Sequence, residues 1–217
     1  MRLIVETTHD VASSTVLDES TGQKHAYIQG IFAQAESLNR NKRVYPKAVL
    51  EKAIDNYNEL YVKRNRACGE IEHPNYPSVN MSNAAMIIES LHWEGNNVIG
   101  KARALTTPQG KTLAALINDG VQIGVSTRGL GSVRQGKYQN ETCNIVSDDY
   151  EIRAIDAVGS PSGIDCFVDG ILEGVEYYYK NGTLCEREIE QIQEHVKKND
   201  IEAIKSDFQM FMNKIFG

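Results

Sequence analysis

The hydrophobic residues of this chain mostly form short runs or alternate with polar residues. Alternation with a period of two predicts strands that bury one face, and short apolar runs next to turn residues predict buried strands. Residues 95–97, Gly-Asn-Asn, separate two such segments and predict a β-hairpin. The predicted strands cover residues 3–7, 24–35, 84–93, 98–105, 121–125, 144–146 and 150–158.

In two segments between these predicted strands, the apolar residues recur at helical spacing instead. Pro46 occupies a first helical position, and Thr107-Pro108 begins a second helix that Gly120 ends. Apolar residues that share a helix face are Val49, Leu50, Ala53, Ile54, Tyr57 and Tyr61 in the first helix, and Leu113, Leu116 and Ile117 in the second. The predicted class is therefore α+β, mainly β and mostly antiparallel, with helices in long connections.

The last part of the chain has a different pattern. Thr183 and Glu186 have the spacing of a helix capping box, and apolar residues then recur at helical spacing. A second helix is predicted from Asn199. We therefore expect a body over residues 1–182 and a C-terminal helical tail over residues 183–217.

Composition narrows the class of protein. The 217 residues are 41% hydrophobic and 24% charged, as in ordinary globular proteins. The net charge of −6 argues against sequence-independent nucleic-acid binding, and no apolar stretch approaches the roughly 18 residues of a membrane span. The four cysteines are far apart and lack a C-x-x-C pair, so we expect no zinc site, no disulfide framework and a reducing cytoplasmic setting. We also expect no other metal and no cofactor.

Ser126 has the most informative surroundings in the chain. It lies in residues 124–131, Gly-Val-Ser-Thr-Arg-Gly-Leu-Gly, directly after the strand predicted over 121–125. Its glycines predict a sharp turn that brings backbone N–H groups close to a reacting atom. A hydroxyl at such a turn suits a nucleophile beside an oxyanion hole, although serines also occur in plain β-turns.

His73 is the histidine most typical of a functional group. It lies within residues 69–77, Gly-Glu-Ile-Glu-His-Pro-Asn-Tyr-Pro, a rigid and turn-rich stretch. A serine and a histidine on separate loops are the components of a serine hydrolase. A capping or core role for His73 is the alternative.

Asp156 is the best acid to orient the histidine. Alternation along the strand predicted over 150–158 places it on the same face as Ile152 and Ala154, which are apolar. An acid on an apolar face needs a partner, because burying a charge without one is costly. An acid in a turn at the end of the strand is the alternative interpretation.

Four segments together resemble one family. They are residues 39–46 before the first helix, 69–74 with the histidine, 124–131 with the serine, and 155–162 with the aspartate. In this order, over about residues 25 to 168, they resemble the T-even-type prohead core proteases, the maturation proteases of large contractile-tailed bacteriophages. The G-x-S-x-G elbow of α/β-hydrolases is absent, because Arg128 stands where that motif needs glycine.

The resemblance implies a fold like that of herpesvirus assemblin, a closed β-barrel surrounded by helices. It implies a serine endopeptidase with Ser126 as nucleophile and His73 as general base. Assemblin uses a second histidine as the third member of its triad. The matching strand here has no histidine, so we expect Asp156 in that role.

Backbone N–H groups of Thr127, Arg128 and Gly129 are then the expected oxyanion donors, and the Arg128 side chain is expected to orient that segment or hold a water there. The resemblance also implies a setting inside the assembling prohead, in the host cytoplasm. Viral scaffold or core and capsid proteins are the expected substrates, and we expect a homo-oligomer.

The resemblance also implies cleavage after glutamate in short, apolar-rich contexts, and binding an acidic substrate residue requires a cationic pocket. Arg40, Lys42 and Arg43 form the nearest basic cluster. Self-cleavage is expected after Glu173, with Glu202 as a second site.

Two other classes of function fit the same residues. One is a non-catalytic capsid or scaffold component, a β-barrel with a helical docking tail. The other is a serine esterase or amidase that acts on a small molecule. An activated serine distinguishes the enzymes from the capsid component, and cleavage of a protein distinguishes the protease from the esterase.

Overall fold

The computed structural model of the chain describes residues 1–8, 11–18, 23–39, 41–159, 175–180 and 183–188. The chain divides into two compact units, Ile4–Ile164 and a unit that joins Met1–Leu3 to Asp165–Gly217. In chain order the described elements are β1 (Arg2–Thr8), β2 (Val11–Asp18), β3 (Gln23–Gln34), β4 (Arg43–Val44), α1 (Lys47–Tyr57), a π-helical turn (Asn58–Val62), β5 (Cys68–Gly69), a 3-10 turn (Met81–Asn83), β6 (Met86–Glu94), β7 (Asn97–Ala104), α2 (Pro108–Asn118), β8 (Ile123–Gly131), β9 (Val133–Tyr138), β10 (Glu141–Val146), β11 (Glu151–Gly159), β12 (Val175–Lys180) and β13 (Thr183–Glu188).

The largest sheet has five strands in the order β2-β3-β7-β6-β5. All of its neighbouring strands pair antiparallel. Gly95, between β6 and β7, has a φ of 61°, the left-handed conformation that tight hairpin turns require. The hairpin predicted at residues 95–97 is confirmed.

A second sheet, in the order β1-β8-β11, carries the candidate site. The outer edge of β11 is extended by a parallel bridge between Ile71 and Ala157. The Ala157 N–H donates to the Glu70 carbonyl at 2.9 Å, and the Glu72 N–H donates to the Ala157 carbonyl at 2.8 Å. The segment that leads to His73 is therefore fastened to β11.

A smaller sheet has the order β4-β10-β9. β10 pairs parallel with β4 and antiparallel with β9. The described part of the second unit contains the antiparallel hairpin of β12 and β13.

α1 packs on the core through one face. Leu50, Ala53, Ile54 and Tyr57 on that face are at most 2% exposed. Burying a large apolar side chain contributes about 1.5–3 kcal/mol, so this face stabilises the helix against the core. Pro46 occupies the N-cap, and the helix predicted after it is confirmed.

α2 has the start and stop signals that were predicted. The Thr107 hydroxyl accepts a hydrogen bond from the Gly110 N–H at 3.1 Å, which caps the first turn. Past the end of the helix, Gly120 has a φ of 80°, the left-handed conformation that ends many helices. The predicted helix is confirmed.

The described residues are mainly β, but the predicted closed barrel is wrong, because the sheets that the described strands form are open. Each main sheet has two end strands, whereas a barrel requires every strand to be paired along both edges. β5, an end strand of the five-stranded sheet, pairs with β6 through Cys68 and Gly69. The expected ring of helices is wrong as well, because the part of the chain that the structure describes has two α-helices.

The sharp turn predicted around Ser126 is also wrong. β8 continues through it to Gly131, and every residue of the strand is buried. The glycines serve packing, not turning. A Cβ on Gly129 would lie 2.4 Å from the Tyr150 ring, so this part of β8 must lack side chains for Tyr150 to fit.

The helix start predicted at Thr183 is wrong, because Thr183–Glu188 is strand β13. β12 carries three tyrosines, which favour strands, and Asn181-Gly182 between the two strands is a hairpin sequence. Residues 189–217 of the predicted helical tail lie outside the described residues, and so do Glu173 and Glu202. The boundary between residues 182 and 183 stays a prediction.

Candidate active site

Ser126 and Asp156 are direct partners in the antiparallel pair of β8 and β11. Directly opposite residues project from the same face of a sheet, with Cβ atoms roughly 4.5–5.5 Å apart. Both residues are 0% exposed. The Ser126 hydroxyl donates a hydrogen bond to the Glu6 carbonyl oxygen of β1 at 2.8 Å. Two of the predicted catalytic side chains therefore project from one buried face.

The path of the chain that leads to His73 depends on Gly69 and on the left-handed backbone conformation of Glu72. A Cβ on Gly69 would lie 1.9 Å from the Ile155 carbonyl oxygen, so only glycine lets the chain pass this close to β11. Glu72 has a φ of 63°, and its Oε1 accepts a hydrogen bond from the Gly159 N–H at 3.1 Å. The resulting turn directs the chain into His73.

His73 faces the carboxylate of Asp156. Its Nδ1 lies 3.4 Å from Asp156 Oδ2, and its side chain is 15% exposed. Neither ring nitrogen makes an aligned hydrogen bond to the residues that the structure describes, so the contact is an ion-pair distance. A carboxylate beside Nδ1 favours the tautomer protonated there, which leaves Nε2 to accept a proton. Asp156 thus connects His73 with the face that carries Ser126.

Arg128 is the centre of a buried ionic network. Its Nε donates to Asp156 Oδ2 at 2.9 Å, and its Nη2 donates to Asp156 Oδ1 at 3.1 Å and to Glu70 Oε2 at 2.9 Å. The Glu70 N–H also donates to Asp156 Oδ1 at 3.0 Å. A buried carboxylate is tolerated when it is paired and hydrogen-bonded in this way. The network holds the Asp156 side chain in one orientation.

The Arg128 guanidinium also binds the backbone of the loop that follows His73. Arg128 Nη1 donates to the carbonyl oxygens of Tyr76 at 2.5 Å and Ser78 at 3.3 Å. Glu70 Oε1 accepts from the Tyr76 hydroxyl and the Asn80 N–H, both at 3.2 Å. Arg128 therefore positions the loop that carries the histidine.

The buried cluster holds one cation and two anions, because Arg128 contributes one positive charge and Asp156 and Glu70 contribute two negative charges. The excess charge beside His73 is therefore negative.

The predicted oxyanion donors lie within a paired strand. Thr127 is the partner of Ile155 and Arg128 is the partner of Ala154, while β1 lies on the other edge of β8. Their role stays a prediction.

The three basic residues predicted to bind an acidic substrate residue do not share one environment. Arg43 Nη1 lies 3.9 Å from Glu6 Oε2, so Arg43 does meet a glutamate. Lys42 is exposed. Arg40 lies outside the described residues.

Sequence reasoning missed Glu70 and Asn39. Glu70 alternates with Ile71 and Glu72 in a stretch that resembles a solvated strand, and its partner Arg128 is 58 positions away. Asn39 is one polar residue in the stretch that precedes α1, and the carboxylate it binds belongs to Glu6. No local pattern distinguishes either residue, because both depend on contacts between distant segments.

The described part of the chain gives little support for a metal site, a reactive cysteine or a membrane span. No group of three or more His, Cys, Asp or Glu residues there is placed to hold a metal ion. Burial raises the pKa of the Cys68 thiol, which disfavours the reactive thiolate. No helix in this part is long and apolar enough to cross a membrane.

Comparison with known proteins identifies the family. The family of the prohead core protein serine protease matches residues 7–176, a range that contains His73, Ser126 and Asp156. The prohead core protein protease of Enterobacteria phage T4 is 45% identical over 145 residues, which are 65% of this chain and 67% of that protein. The solved structure of the bacteriophage T4 capsid assembly protease, gp21, matches with a TM-score of 0.65 and 39% identity over 72% of this chain and 97% of that one. The chain therefore belongs to the prohead core protein serine protease family.

Proposed function

We propose that this chain is a serine endopeptidase with Ser126 as nucleophile, His73 as general base and Asp156 as the third member of the triad. The observation that carries the proposal is the position of Asp156, which is the strand partner of Ser126 and faces His73 Nδ1 at 3.4 Å. A Ser-His-acid triad requires a histidine that an acid orients and that lies close to the serine hydroxyl. Membership of the protease family supports the same function.

In the acylation step, His73 Nε2 accepts the Ser126 hydroxyl proton while Oγ attacks the carbonyl carbon of the substrate. The imidazolium that forms lies beside Asp156, whose charge stabilises it. The tetrahedral intermediate collapses as His73 returns the proton to the leaving amine nitrogen. The substrate is then cut, and its acyl part is bound to Ser126 as an ester.

In the deacylation step, His73 activates a water that attacks the ester. The proton returns through His73 to Ser126 Oγ, and the new carboxyl terminus leaves. Throughout the cycle Arg128 keeps Asp156 and the loop after His73 in place.

The substrates proposed are viral scaffold or core and capsid proteins, cut inside the assembling prohead in the host cytoplasm. The names of the two T4 relatives, a prohead core protein protease and a capsid assembly protease, support this setting. A homo-oligomer stays a prediction.

The test uses purified wild-type protein and the Ser126→Ala variant, each incubated with the scaffold and capsid proteins of the same phage. We expect Ser126-dependent peptide-bond cleavage, read by mass spectrometry. Cleavage of p-nitrophenyl acetate without cleavage of any protein would favour the esterase. Inactivity towards both substrates would favour a non-catalytic capsid component.

A further inference from the structure

The end strands of the described sheets differ in what lies along their outer edges. β4 and β5 are two residues long. In β1 the Val5 carbonyl oxygen accepts a hydrogen bond from Arg43 Nη1 at 3.0 Å, and β11 is bridged by Ile71 at Ala157. An end strand that is short or covered offers little free backbone to another chain. These four edges are therefore protected.

Three further end strands carry charged residues. These residues are Arg134 and Lys137 in β9, Glu176 and Lys180 in β12, and Glu186, Arg187 and Glu188 in β13. Charged side chains on an end strand oppose pairing with another chain, because pairing would remove them from water. These edges are therefore protected as well.

β2 has none of these features. Its first seven residues, 11–17, are uncharged and include neither proline nor glycine. It pairs with β3 through eight consecutive residue pairs, without the register shifts that interrupt the pairing of β7 with β3 and with β6. Among the described strands, none pairs with its other edge. β2 therefore presents a regular row of backbone N–H and C=O groups, to which an added strand can bind.

The two ends of the exposed part of β2 are held by the rest of the fold. Val11 packs against the hydrophobic core, and the Thr15 hydroxyl donates to the Asn118 side-chain oxygen at the end of α2 at 2.6 Å. Residues 12–14 between them, Ala-Ser-Ser, are exposed and have small side chains. The strand is thus ordered before it binds, which lowers the entropic cost of association.

We propose that β2 binds β2 of a second copy of this chain, antiparallel, with Ser13 opposite Ser13, so that two five-stranded sheets join into one. A two-fold axis perpendicular to the sheet makes two copies of one strand antiparallel and keeps each face of the sheet continuous. Directly opposite residues then lie on the same face, so the centre of the pair falls on one residue.

Charge favours a second copy as the partner and Ser13 as the centre. The chain has a net charge of −6, so two copies repel one another least where no charges face each other. Centring the pair at Ser13 places Ala12 opposite Ser14. Centring it at Ser14 would place Asp10 opposite Asp18, and like charges directly opposite one another are destabilising.

The size of the contact sets the expected affinity. A contact made through one strand is smaller than the ~800 Å² per partner of a standard protein interface, so association should be weak. We expect a dissociation constant on the order of 10 µM, at which a dimer forms only in concentrated protein.

The first experiment measures the mass of the full chain by sedimentation equilibrium, from about 1 to 100 µM. Every protein carries Ser126→Ala, so that proteolysis cannot change the mass and the result does not depend on the proposed activity. The parent protein should shift from monomer to dimer. Ser13→Lys places two ammonium groups opposite one another and should raise the dissociation constant about tenfold or more. Gln135→Lys adds the same charge to an exposed residue of β9 and should leave it unchanged.

A chain that stays monomeric over this range would overturn the proposal. So would a dimer that Ser13→Lys leaves intact, because its interface would lie elsewhere. The circular dichroism spectrum of Ser13→Lys should match that of the parent, since an exposed residue at a strand edge contributes little to stability.

The second experiment tests the register by oxidation. Directly opposite residues have Cβ atoms roughly 4.5–5.5 Å apart, close to the separation in a disulfide, whereas Ser14 of the two copies would be diagonal neighbours roughly 7–8 Å apart. Ser13→Cys should therefore give a disulfide-linked dimer through residue 13, identified by peptide mass spectrometry, and Ser14→Cys should not. The parent, which has the native cysteines alone, is the blank. Linkage through Ser14→Cys but not through Ser13→Cys would overturn the register, and linkage through neither would overturn the pairing of β2.

Discussion

Ser126 and Asp156 stand opposite one another in adjacent antiparallel strands, and the carboxylate of Asp156 lies 3.4 Å from His73. Strand pairing fixes the first relationship, whereas the second depends on a loop. Arg128 holds both, because it binds Asp156 and the backbone of the loop after His73. A buried ion network therefore connects the two relationships.

Replacing Asp156 by asparagine should remove activity. Asp156→Asn keeps the shape of the side chain but loses the charge that faces His73, so the cleavage rate should fall on the order of 10⁴-fold. The measurement is kcat/KM on a protein substrate. Glu70→Gln is the matched control, because Glu70 also binds Arg128 through one of its carboxylate oxygens. It should lose similar stability while its activity changes by about tenfold or less, and equal losses of activity would contradict a special role for Asp156.

Replacing Arg128 by methionine should destabilise the fold. The change leaves two buried carboxylates without their cation, which costs about 3–5 kcal/mol. Denaturant unfolding at neutral pH measures it. Arg103→Met breaks a partly exposed pair with Glu89 and should cost less than about 1 kcal/mol. A small effect for Arg128→Met would mean that water replaces the guanidinium.

Replacing Gly69 by alanine should displace the histidine loop. The new Cβ would lie 1.9 Å from a backbone oxygen of β11, so the strand must shift. We expect a loss of about 1–3 kcal/mol in stability together with a loss of cleavage. Gly95→Ala has no atom within 4 Å but a φ of 61°, so it should lose stability and keep activity. Full activity in Gly69→Ala would show that the path of this segment is not critical.

Alkaline pH should weaken the fold through Tyr150. Burial raises the pKa of Tyr150 to about 12, and burial also raises the pKa of Tyr45, which packs against it. The stability that these neutral phenols contribute is complete below pH ~10 and is lost as pH rises towards 12. For Tyr150 the loss is on the order of 2–3 kcal/mol. The free energy of unfolding between pH 9 and pH 12 measures it, and Tyr150→Phe should flatten the dependence. Equal slopes in the two proteins would contradict the assignment.

The elements that the sequence predicted well have signals within a few residues. Pro46 and Thr107 mark helix starts, and Gly95 marks a hairpin, because each acts on its own turn. The course of β8 was mispredicted because its glycines make room for Tyr150, a contact made only after folding.

In the candidate site, too, local patterns predict some features, whereas others depend on contacts between distant segments. Alternation along β11 predicted an apolar face for Asp156, which is wrong: a register shift between Ile152 and Ala154 interrupts the alternation, and Asp156 pairs with Ser126 and binds Arg128. The contact between Glu70 and Arg128 joins segments that are far apart in the chain, and so does the contact between Asn39 and Glu6. No pattern within a few residues predicts such contacts.

The most direct test of the account is labelling with a fluorophosphonate, followed by peptide mass spectrometry. In a preparation that cuts a protein substrate, the adduct should lie on Ser126, and His73→Ala should slow its formation by about 10²-fold or more. An adduct on another serine, or an unlabelled Ser126 in an active preparation, would contradict the assignment of Ser126 and His73.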